Sequence, residues 1–329
     1  MTPSPVVAST DFSAAADGAV AVAARLARAT SAPLHLLHVL PEPDAGPPKA
    51  EGEAPTTAEV DAEARRARGA LAEAASEGAV LAVRRSAEVA VEAVRYAGDV
   101  GAGLLVLGTC GRRPRRVGLG AVAGETVQTA PCDVLLVPDR PGGPPPDGRV
   151  LVAVDFSAAS APLLALGLGL ARALGVGADL VHVLEPLPHP VRWIDEAVAD
   201  LAPRIRERAG AALGELWEEA VGAERSAGRA LPDVALYVER GKPSRVIPRV
   251  AEALGSGLVA VGPHAERPVL DRLLGGVAEG VARRAPCPVL VARRSAAPPG
   301  GAGPGARNAL PDLGASRPAP ALPVYEPPV

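Results

Sequence analysis

The chain repeats itself, because four sequence blocks occur twice and in the same order along its 329 residues. The matched pairs are residues 6–13 with 150–157, 38–40 with 182–184, 103–108 with 257–262, and 130–135 with 285–290. The offset is 144 for the first two pairs and 154 and 155 for the last two, so the second copy is longer between its second and third blocks. A repeat on this scale predicts two copies of one domain fused head to tail, here called copy one and copy two.

Short apolar runs alternate with helical patterns inside each copy. Strands are predicted near residues 5–9, 34–39, 79–84, 104–108 and 134–137 in copy one, and near 149–154, 178–183, 233–239, 257–262 and 288–292 in copy two. Aromatic residues make up only 2% of the chain, so the core must consist of alanine, valine and leucine, which suits helices packed on a parallel sheet. Each copy is therefore predicted to be a doubly wound α/β domain with a five-stranded parallel sheet of order 3-2-1-4-5.

Composition divides the chain into four segments. Residues 1–138 and 149–294 hold the two copies, and a Pro/Gly-rich stretch at 139–148 is predicted to link them. Residues 295–329 are rich in proline, glycine and alanine and lack periodicity, which predicts a disordered tail.

The longest helical pattern, at residues 193–228, contains Pro203. Proline removes a backbone hydrogen bond from a helix, so Pro203 is expected to break this one unless it opens a new segment. The apolar residues of that segment are predicted to form a buried stripe, made of Leu201, Ile205, Leu213 and Leu216.

Charge and cysteine content narrow the classes of function. The net charge is −3, whereas a nucleic-acid binder normally shows a basic excess, so no nucleic-acid partner is expected. Three cysteines without metal-ligand spacing predict neither a disulfide framework nor a metal site. No apolar run reaches the roughly 20 residues of a membrane span, and no signal peptide is evident, so a soluble, cytoplasmic protein without membrane contact is expected.

Three features converge where a ligand would bind to such a sheet. In open parallel sheets, ligands bind beyond the carboxyl ends of the strands. Strand one ends at Asp11 in copy one, strand two ends at Val39, and strand four leads into a glycine-containing loop that begins at Gly108. The copy-two counterparts are Asp155, Val183 and Gly262. A glycine-containing loop before a helix suits phosphate, because backbone N–H groups and the helix dipole both face the anion.

The four blocks together resemble the signature blocks of the universal stress proteins. In copy one they read Val-Ala-Ser-Thr-Asp-Phe-Ser, Leu-Leu-His-Val-Leu, Leu-Val-Leu-Gly-Thr-Cys-Gly and Ala-Pro-Cys-Asp-Val-Leu-Leu-Val. The resemblance covers residues 5–138 and 149–293. It implies a non-enzymatic stress-response protein that acts through a protein partner, and two halves that pair through their fifth strands.

Many universal stress proteins bind ATP, and the resemblance implies which residues would do so here. The family loop has the form Gly-x2-Gly-x9-Gly-Ser/Thr. The strand-one aspartate and the strand-two valine contact the adenosine part, while the glycines and the hydroxyl hold ribose and phosphates. The corresponding glycines are Gly108, Gly111 and Gly120 in copy one, and Gly262 and Gly275 in copy two.

Both copies depart from this loop pattern. Copy one has eight residues before Gly120, one fewer than the family, and then Ala121 in place of the hydroxyl residue. Copy two keeps the spacing but has Ala265 in place of the second glycine and Gly276 in place of the hydroxyl residue. A lost hydrogen bond to a charged group weakens binding by about 1.5–3 kcal/mol, and Ala265 adds a steric cost. ATP binding is therefore a hypothesis that favours copy one.

The fifth strands carry a second prediction. Val134–Val137 and Val289–Val291 would be exposed apolar edges in separate domains, and such edges invite aggregation. They are expected to pair with each other inside the chain, or with another chain in a homodimer.

Two other functions stay open at this stage. One is a weak ATP hydrolase of the wider adenine-nucleotide hydrolase superfamily, although no paired acid–base residues are evident. The other is a regulatory appendage of a transporter or kinase. The arginine cluster at residues 112–116 could contact phosphate or simply be solvated.

Overall fold

The computed structural model describes most of both copies. The described ranges are residues 3–41, 57–74, 78–110, 119–140, 147–185, 195–262 and 276–293. The linker predicted at 139–148 falls partly outside these ranges, and the tail predicted at 295–329 falls wholly outside them.

All ten strands of the described ranges form one continuous sheet. Those of copy one are β1 (Val6–Ser9), β2 (Leu34–Pro41), β3 (Val80–Ser86), β4 (Leu104–Gly108) and β5 (Asp133–Val137). Those of copy two are β6 (Val150–Val154), β7 (Ala178–Leu184), β8 (Val234–Arg240), β9 (Leu258–Val261) and β10 (Val289–Val291). Their spatial order is β3-β2-β1-β4-β5-β10-β9-β6-β7-β8, so each half has the predicted order 3-2-1-4-5.

Helices cover both faces of the sheet. They are α1 (Ala14–Thr30), α2 (Thr57–Ala74), α3 (Val89–Asp99) and α4 (Ala121–Thr129) in copy one, and α5 (Ser160–Leu174), α6 (Asp195–Ser226), α7 (Pro243–Ala253) and α8 (Gly276–Arg284) in copy two. Each face carries an apolar layer that runs from one copy into the other. This continuity follows from strands that are apolar on both faces, as buried parallel strands must be.

Local sequence explains where the helix that follows β1 begins and ends. The Ser13 hydroxyl accepts a hydrogen bond from the Ala16 N–H at the start of α1, 3.3 Å away. Asp17 in the first turn and Arg28 in the last turn both suit the helix dipole. Ser31 then adopts a left-handed conformation that ends the helix. In copy two, Gly175 ends α5 in the same way.

The two copies meet at an antiparallel pair of strands, the only antiparallel pair within the described sheet. β5 and β10 pair with Leu136 opposite Val289, Leu135 opposite Leu290, and Val134 opposite Val291. Of the two pairings expected for the fifth strands, the one inside the chain is therefore the one observed. Because this pair is antiparallel while each half is parallel, the strands of copy one and copy two end at opposite edges of the sheet.

The long helix of copy two differs from expectation. Pro203 lies inside a single helix, α6, and does not divide it. Pro203 is solvent-exposed, and it lacks the N–H that would bond the carbonyl one turn earlier in the helix. The expected stripe is wrong at Ile205, which is 41% exposed, and right at Leu213, which is fully buried. Leu216 is partly buried against the core, and the side chain of Leu201 lies outside the description.

Among the described helices, none has both the length and the apolar character needed to cross a membrane.

Candidate functional site

The turn after the first strand presents an aspartate in the same way in both copies. Asp11 Oδ1 accepts a hydrogen bond from the Ser13 N–H at 3.0 Å, and Asp155 Oδ1 accepts one from the Ser157 N–H at 3.0 Å. The residue between them is a phenylalanine in the left-handed region, with φ of 59° at Phe12. Bulky residues seldom adopt this conformation, so the turn is held in place by its surroundings. It fixes each carboxylate at the end of strand one.

A stacked phenylalanine–histidine pair supports this turn. His38 Nδ1 lies 2.7 Å from the Thr10 carbonyl, and its ring centroid lies 4.5 Å from that of Phe12. In copy two, His182 Nδ1 lies 2.9 Å from the Val154 carbonyl, and its ring lies 4.2 Å from that of Phe156. The histidine and the strand carbonyl thus tie strand two to the end of strand one, which positions the aspartate.

These pairs belong to the site although the motifs did not indicate them. The signal was available, because each histidine follows its phenylalanine by the same interval in both copies. His35 and His38 are three residues apart on β2, so their side chains point to opposite faces of the strand. His35 bonds the Tyr96 hydroxyl of α3 at 2.9 Å, while His38 stacks on Phe12.

The glycine loop of copy one is crowded by backbone. A Cβ on Gly108 would lie 3.2 Å from the Cys110 carbonyl oxygen and 3.3 Å from that of Ala15. A Cβ on Gly120 would lie 3.3 Å from the Thr109 carbonyl oxygen, which accepts a 2.8 Å hydrogen bond from the Gly120 N–H. A side chain at either position would crowd the backbone of the loop, which favours glycine there.

Helix α4 begins directly after this loop without a side-chain cap. Gly120 precedes it and offers no capping group, and no acidic residue lies in its first turn. The N–H groups at this helix end can therefore bond an anion. In copy two the corresponding helix, α8, has Glu279 in its first turn, 3.0 Å from Arg283. A carboxylate there makes the helix end less favourable for a second anion.

A cavity of about 580 Å³ opens at the carboxyl edge of the copy-one strands. Four of the predicted residues line it, namely Asp11, Val39, Gly108 and Gly120. Phe12, His38, Cys110 and Ala121 line it as well, and Arg66, Ala67 and Ala70 of α2 form part of its wall. Gly111 and the arginine cluster at 112–116 lie outside the described residues.

The corresponding cavity of copy two is much smaller, at about 110 Å³. Asp155, Val183 and Gly262 line it, while Gly275 and Ala265 lie outside the described residues. Both candidate sites thus assemble at the end of their strands, but only the first encloses a large space.

Three side chains that line the smaller cavity are larger than their counterparts in copy one. They are Ser160, Leu163 and Ile247. At the offsets of 144 and 154, the copy-one residues are alanines in all three cases, Ala16, Ala19 and Ala93. Larger side chains at these positions thus accompany the smaller cavity of copy two.

The aspartate of copy two is also bonded within its own copy. The Ser160 hydroxyl donates to Asp155 Oδ1 at 3.2 Å, in addition to the bond from the Ser157 N–H. Partial desolvation pushes the pKa of Asp155 upward, but the hydrogen bonds from Ser157 and Ser160 outweigh it and hold the pKa below its ordinary value. Copy one has Ala16 in place of Ser160 and so lacks this hydroxyl.

The cysteines have separate roles in this arrangement. Cys132 and Cys287 lie just before the fifth strand of each copy and are buried as small apolar groups. Cys110 is partly exposed on the wall of the larger cavity, where burial raises the pKa of its thiol. Within the described ranges, no group of three or more His, Cys, Asp or Glu side chains could hold a metal ion.

Fold and site together define a class, the tandem doubly wound α/β proteins with a cavity at the switch point between strands one and four. The sequence profile of the universal stress protein family matches residues 4–138 and 148–293, and the chain belongs to that family.

Individual relatives agree with this assignment. A universal stress protein of Mycolicibacterium smegmatis is 31% identical over 317 residues, which cover 88% of this chain and 96% of that protein. A universal stress protein of Mycobacterium tuberculosis is 29% identical over 204 residues, but the match covers 58% of this chain and only 62% of that relative, less than two thirds of its length. The crystal structure of a universal stress protein from Archaeoglobus fulgidus has a TM-score of 0.60 at 19% identity and covers 89% of this chain and 97% of its own, so it shares the fold.

Proposed function

We propose that this protein is a non-enzymatic stress-response factor that binds one adenine nucleotide, in the cavity of copy one, and acts through a protein partner. Copy two then serves as a structural half without a nucleotide. ATP is the proposed ligand because the family loop, which copy one retains in part, is a phosphate-binding loop. A cytoplasmic location is part of the proposal.

The size of the copy-one cavity carries this proposal. Small-molecule sites typically have volumes of about 300–1,000 Å³, and the cavity of about 580 Å³ falls within that range. The cavity of copy two, at about 110 Å³, falls well below it. We therefore expect a nucleotide in copy one and none in copy two.

The polarity of the copy-one cavity supports the same ligand. Asp11 lines it, and its carboxylate can accept hydrogen bonds from an exocyclic amine. Gly108, Gly120 and the uncapped start of α4 line it as well, where backbone N–H groups suit phosphate. Apolar side chains such as Val39 and Leu107 also line the cavity and suit the faces of a base.

Titration of ATP into matched variants tests the proposal. Asp11→Asn and Asp155→Asn keep an oxygen that can accept the turn hydrogen bond, so both variants should retain the fold. We expect a single ATP site in the wild type, at least tenfold weaker binding in Asp11→Asn, or about 1.4 kcal/mol, and unchanged binding in Asp155→Asn. Equal losses in the two variants, or two equivalent sites in the wild type, would contradict the assignment to copy one.

A second measurement addresses the absence of enzymatic activity. Bound ATP should be recovered unchanged after prolonged incubation with the wild type. Release of ADP that Asp11→Asn abolishes would instead favour the hydrolase alternative. A cross-linking comparison with and without ATP would then identify a partner that responds to the bound nucleotide, or a second copy of this chain.

A further inference from the structure

The seam between the copies contains two positions related by the internal repeat. Helices α1 and α5 contact each other above the strands that join the halves. On one side the end of α1 lies beside the middle of α5, and on the other side the end of α5 lies beside the middle of α1. The position on the copy-one side is a cleft of about 230 Å³, here called the seam cleft. The equivalent position on the copy-two side has only about 30 Å³.

The seam cleft is built from both copies and is almost entirely apolar. Leu135 of β5 and Leu290 of β10 form its floor, and both are buried. Leu26 of α1 forms one wall, and Leu166 and Leu170 of α5 form the other. Among the described residues that line it, Asp133 is the only charged one, and its carboxylate already bonds the Arg293 N–H at 2.7 Å.

The repeat shows why one position is open and the other closed. On the closed side, Arg25 and Leu174 line the remaining space. At the offset of 144, the open side has Gly169 in place of Arg25 and Thr30 in place of Leu174. Of these two, Thr30 lines the open cleft, where its side chain is smaller than the leucine of the closed side. The Thr30 hydroxyl bonds the Leu26 carbonyl at 2.7 Å, which turns its polar atom back onto the helix.

We propose that the seam cleft binds one small, neutral, apolar molecule, of the size of a single aromatic ring or a short alkyl chain. An engineered apolar cavity of about 150 Å³ stays dry and binds benzene, and the seam cleft is somewhat larger at about 230 Å³. It is too small for a nucleotide or for an element of a partner protein. Its leucine walls offer no groups to pair with the polar atoms of a charged ligand.

Toluene is a suitable probe, followed by NMR of ¹³C-methyl leucines in the full chain. We expect saturable shifts of the Leu166, Leu170 and Leu258 methyl groups, while leucines remote from the seam stay unchanged. Thr30→Leu introduces the side chain of the closed side and should weaken toluene binding at least tenfold. Leu174→Met, a volume-conserving change on the closed side, is the matched control and should bind like the wild type.

A second variant fills the cleft from the other wall. Leu166 lines the cleft and is only partly buried, so Leu166→Trp enlarges the α5 wall, and Leu170 and Leu258 then report binding. It should also abolish the toluene shifts, and it keeps the test decisive if Thr30→Leu fails to fold. The inference is overturned if toluene leaves the seam leucines unshifted in the wild type, or if both filled variants bind toluene as the wild type does. ATP titration is independent of this result.

Discussion

The Asp133 carboxylate accepts a hydrogen bond from the backbone N–H of Arg293 across the seam, with 2.7 Å between Oδ1 and N. Asp133 is only 8% exposed, and the Arg293 guanidinium in turn bonds the Val127 carbonyl of α4. The counterpart of Asp133 in copy two is Pro288, whose side chain cannot accept a hydrogen bond. The contact therefore occurs once, and it joins the end of β10 to copy one.

Replacing Asp133 should lower the stability of the whole chain. Asp133→Ala leaves the Arg293 N–H without its acceptor in a buried setting, which costs about 1–3 kcal/mol. Urea unfolding would measure the change. Asp99→Ala is the control, because Asp99 is exposed and its carboxylate lies as far as 3.9 Å from the Arg95 guanidinium. This variant should lower the free energy of unfolding by about 0–1 kcal/mol. If both variants lower the free energy of unfolding by the same amount, the hydrogen bond between Asp133 and Arg293 adds no stability of its own.

Introducing a hydroxyl at the start of α4 should tighten nucleotide binding. Ala121 lines the copy-one cavity at the first helical position, where the family loop has serine or threonine. Ala121→Ser should improve the ATP affinity about tenfold, or about 1.4 kcal/mol. Gly276→Ser makes the same addition in copy two, where a Cβ meets nothing within 4 Å, and should leave the affinity unchanged. Calorimetric titration of the three proteins compares them directly.

The three cysteines should differ in their reaction with a thiol reagent. Burial raises the pKa of Cys287 to about 12, and Cys132 is fully buried, so neither thiol should react in the folded protein. Cys110 is partly exposed and should react slowly, because burial raises its pKa as well. One thiol should therefore be titrated in the native state and three after denaturation.

The same reaction reports on the copy-one cavity, since Cys110 lines it. Saturating ATP should slow the modification of Cys110, and Cys110→Ser should remove the native-state reaction. Modification at an unchanged rate with ATP bound would argue against a nucleotide next to this loop.

A buried ion pair holds the start of copy two. Arg149 Nε lies 2.9 Å from the Asp179 carboxylate, which is almost fully buried, and Arg149 also bonds the exposed Asp233 at 2.8 Å. Arg149→Ala should destabilise the protein by about 3–5 kcal/mol, because it leaves a buried charge uncompensated. Arg283→Ala breaks the more exposed pair with Glu279 and should cost about 0–1 kcal/mol. Unfolding curves at neutral pH would separate these two outcomes.

Stability should fall as the pH drops below about 6.5, the ordinary pKa of histidine. Burial lowers the pKa of His182 in the folded state, so the unfolded chain binds a proton first and acid favours unfolding. The stabilisation that comes from neutral His182 is fully present above pH 6.5. It is lost as the pH falls from there to the lower pKa that His182 has in the folded state. His182→Gln should reduce the change in unfolding free energy between pH 7.5 and 5.5. Burial also lowers the pKa of His35, so His35 should account for part of the pH dependence that this variant retains. If the unfolding free energy of His182→Gln changes between the two pH values as much as that of the wild type, His182 is not the source of the pH dependence.

The fold could be predicted because the repeat fixes the domain number and the alternation of strands and helices fixes the sheet. Val134 and Leu290 could be expected at a paired edge for the same reason, since exposed apolar edges are unfavourable. Ile205 could not be placed correctly, because helical spacing gives the face of a helix but not how far along that face the contact extends. Ile205 lies two turns before Leu213 in the same continuous helix, yet it is 41% exposed while Leu213 is fully buried.

The unequal size of the two cavities could not be predicted from the loop motif. Leu163 and Ile247 line the smaller cavity, but they are far apart in the sequence and belong to ordinary apolar helix faces. Only the folded chain shows that both side chains meet at the carboxyl end of the strands. The glycine pattern therefore indicated where a ligand could bind, while residues outside the motif also shape the space for it.

The antiparallel contact between β5 and β10 places the carboxyl ends of the two sets of strands at opposite edges of the sheet, and the unequal cavities there make the two ends distinguishable. A symmetric dimer would present identical sites at opposite poles and would cross-link a receptor that recognised them. Here one pole carries the open cavity and the other a closed one, while covalent fusion keeps the unequal halves together at any concentration. A receptor that recognised only the pole with the open cavity would therefore bind the chain in one orientation and in a one-to-one ratio.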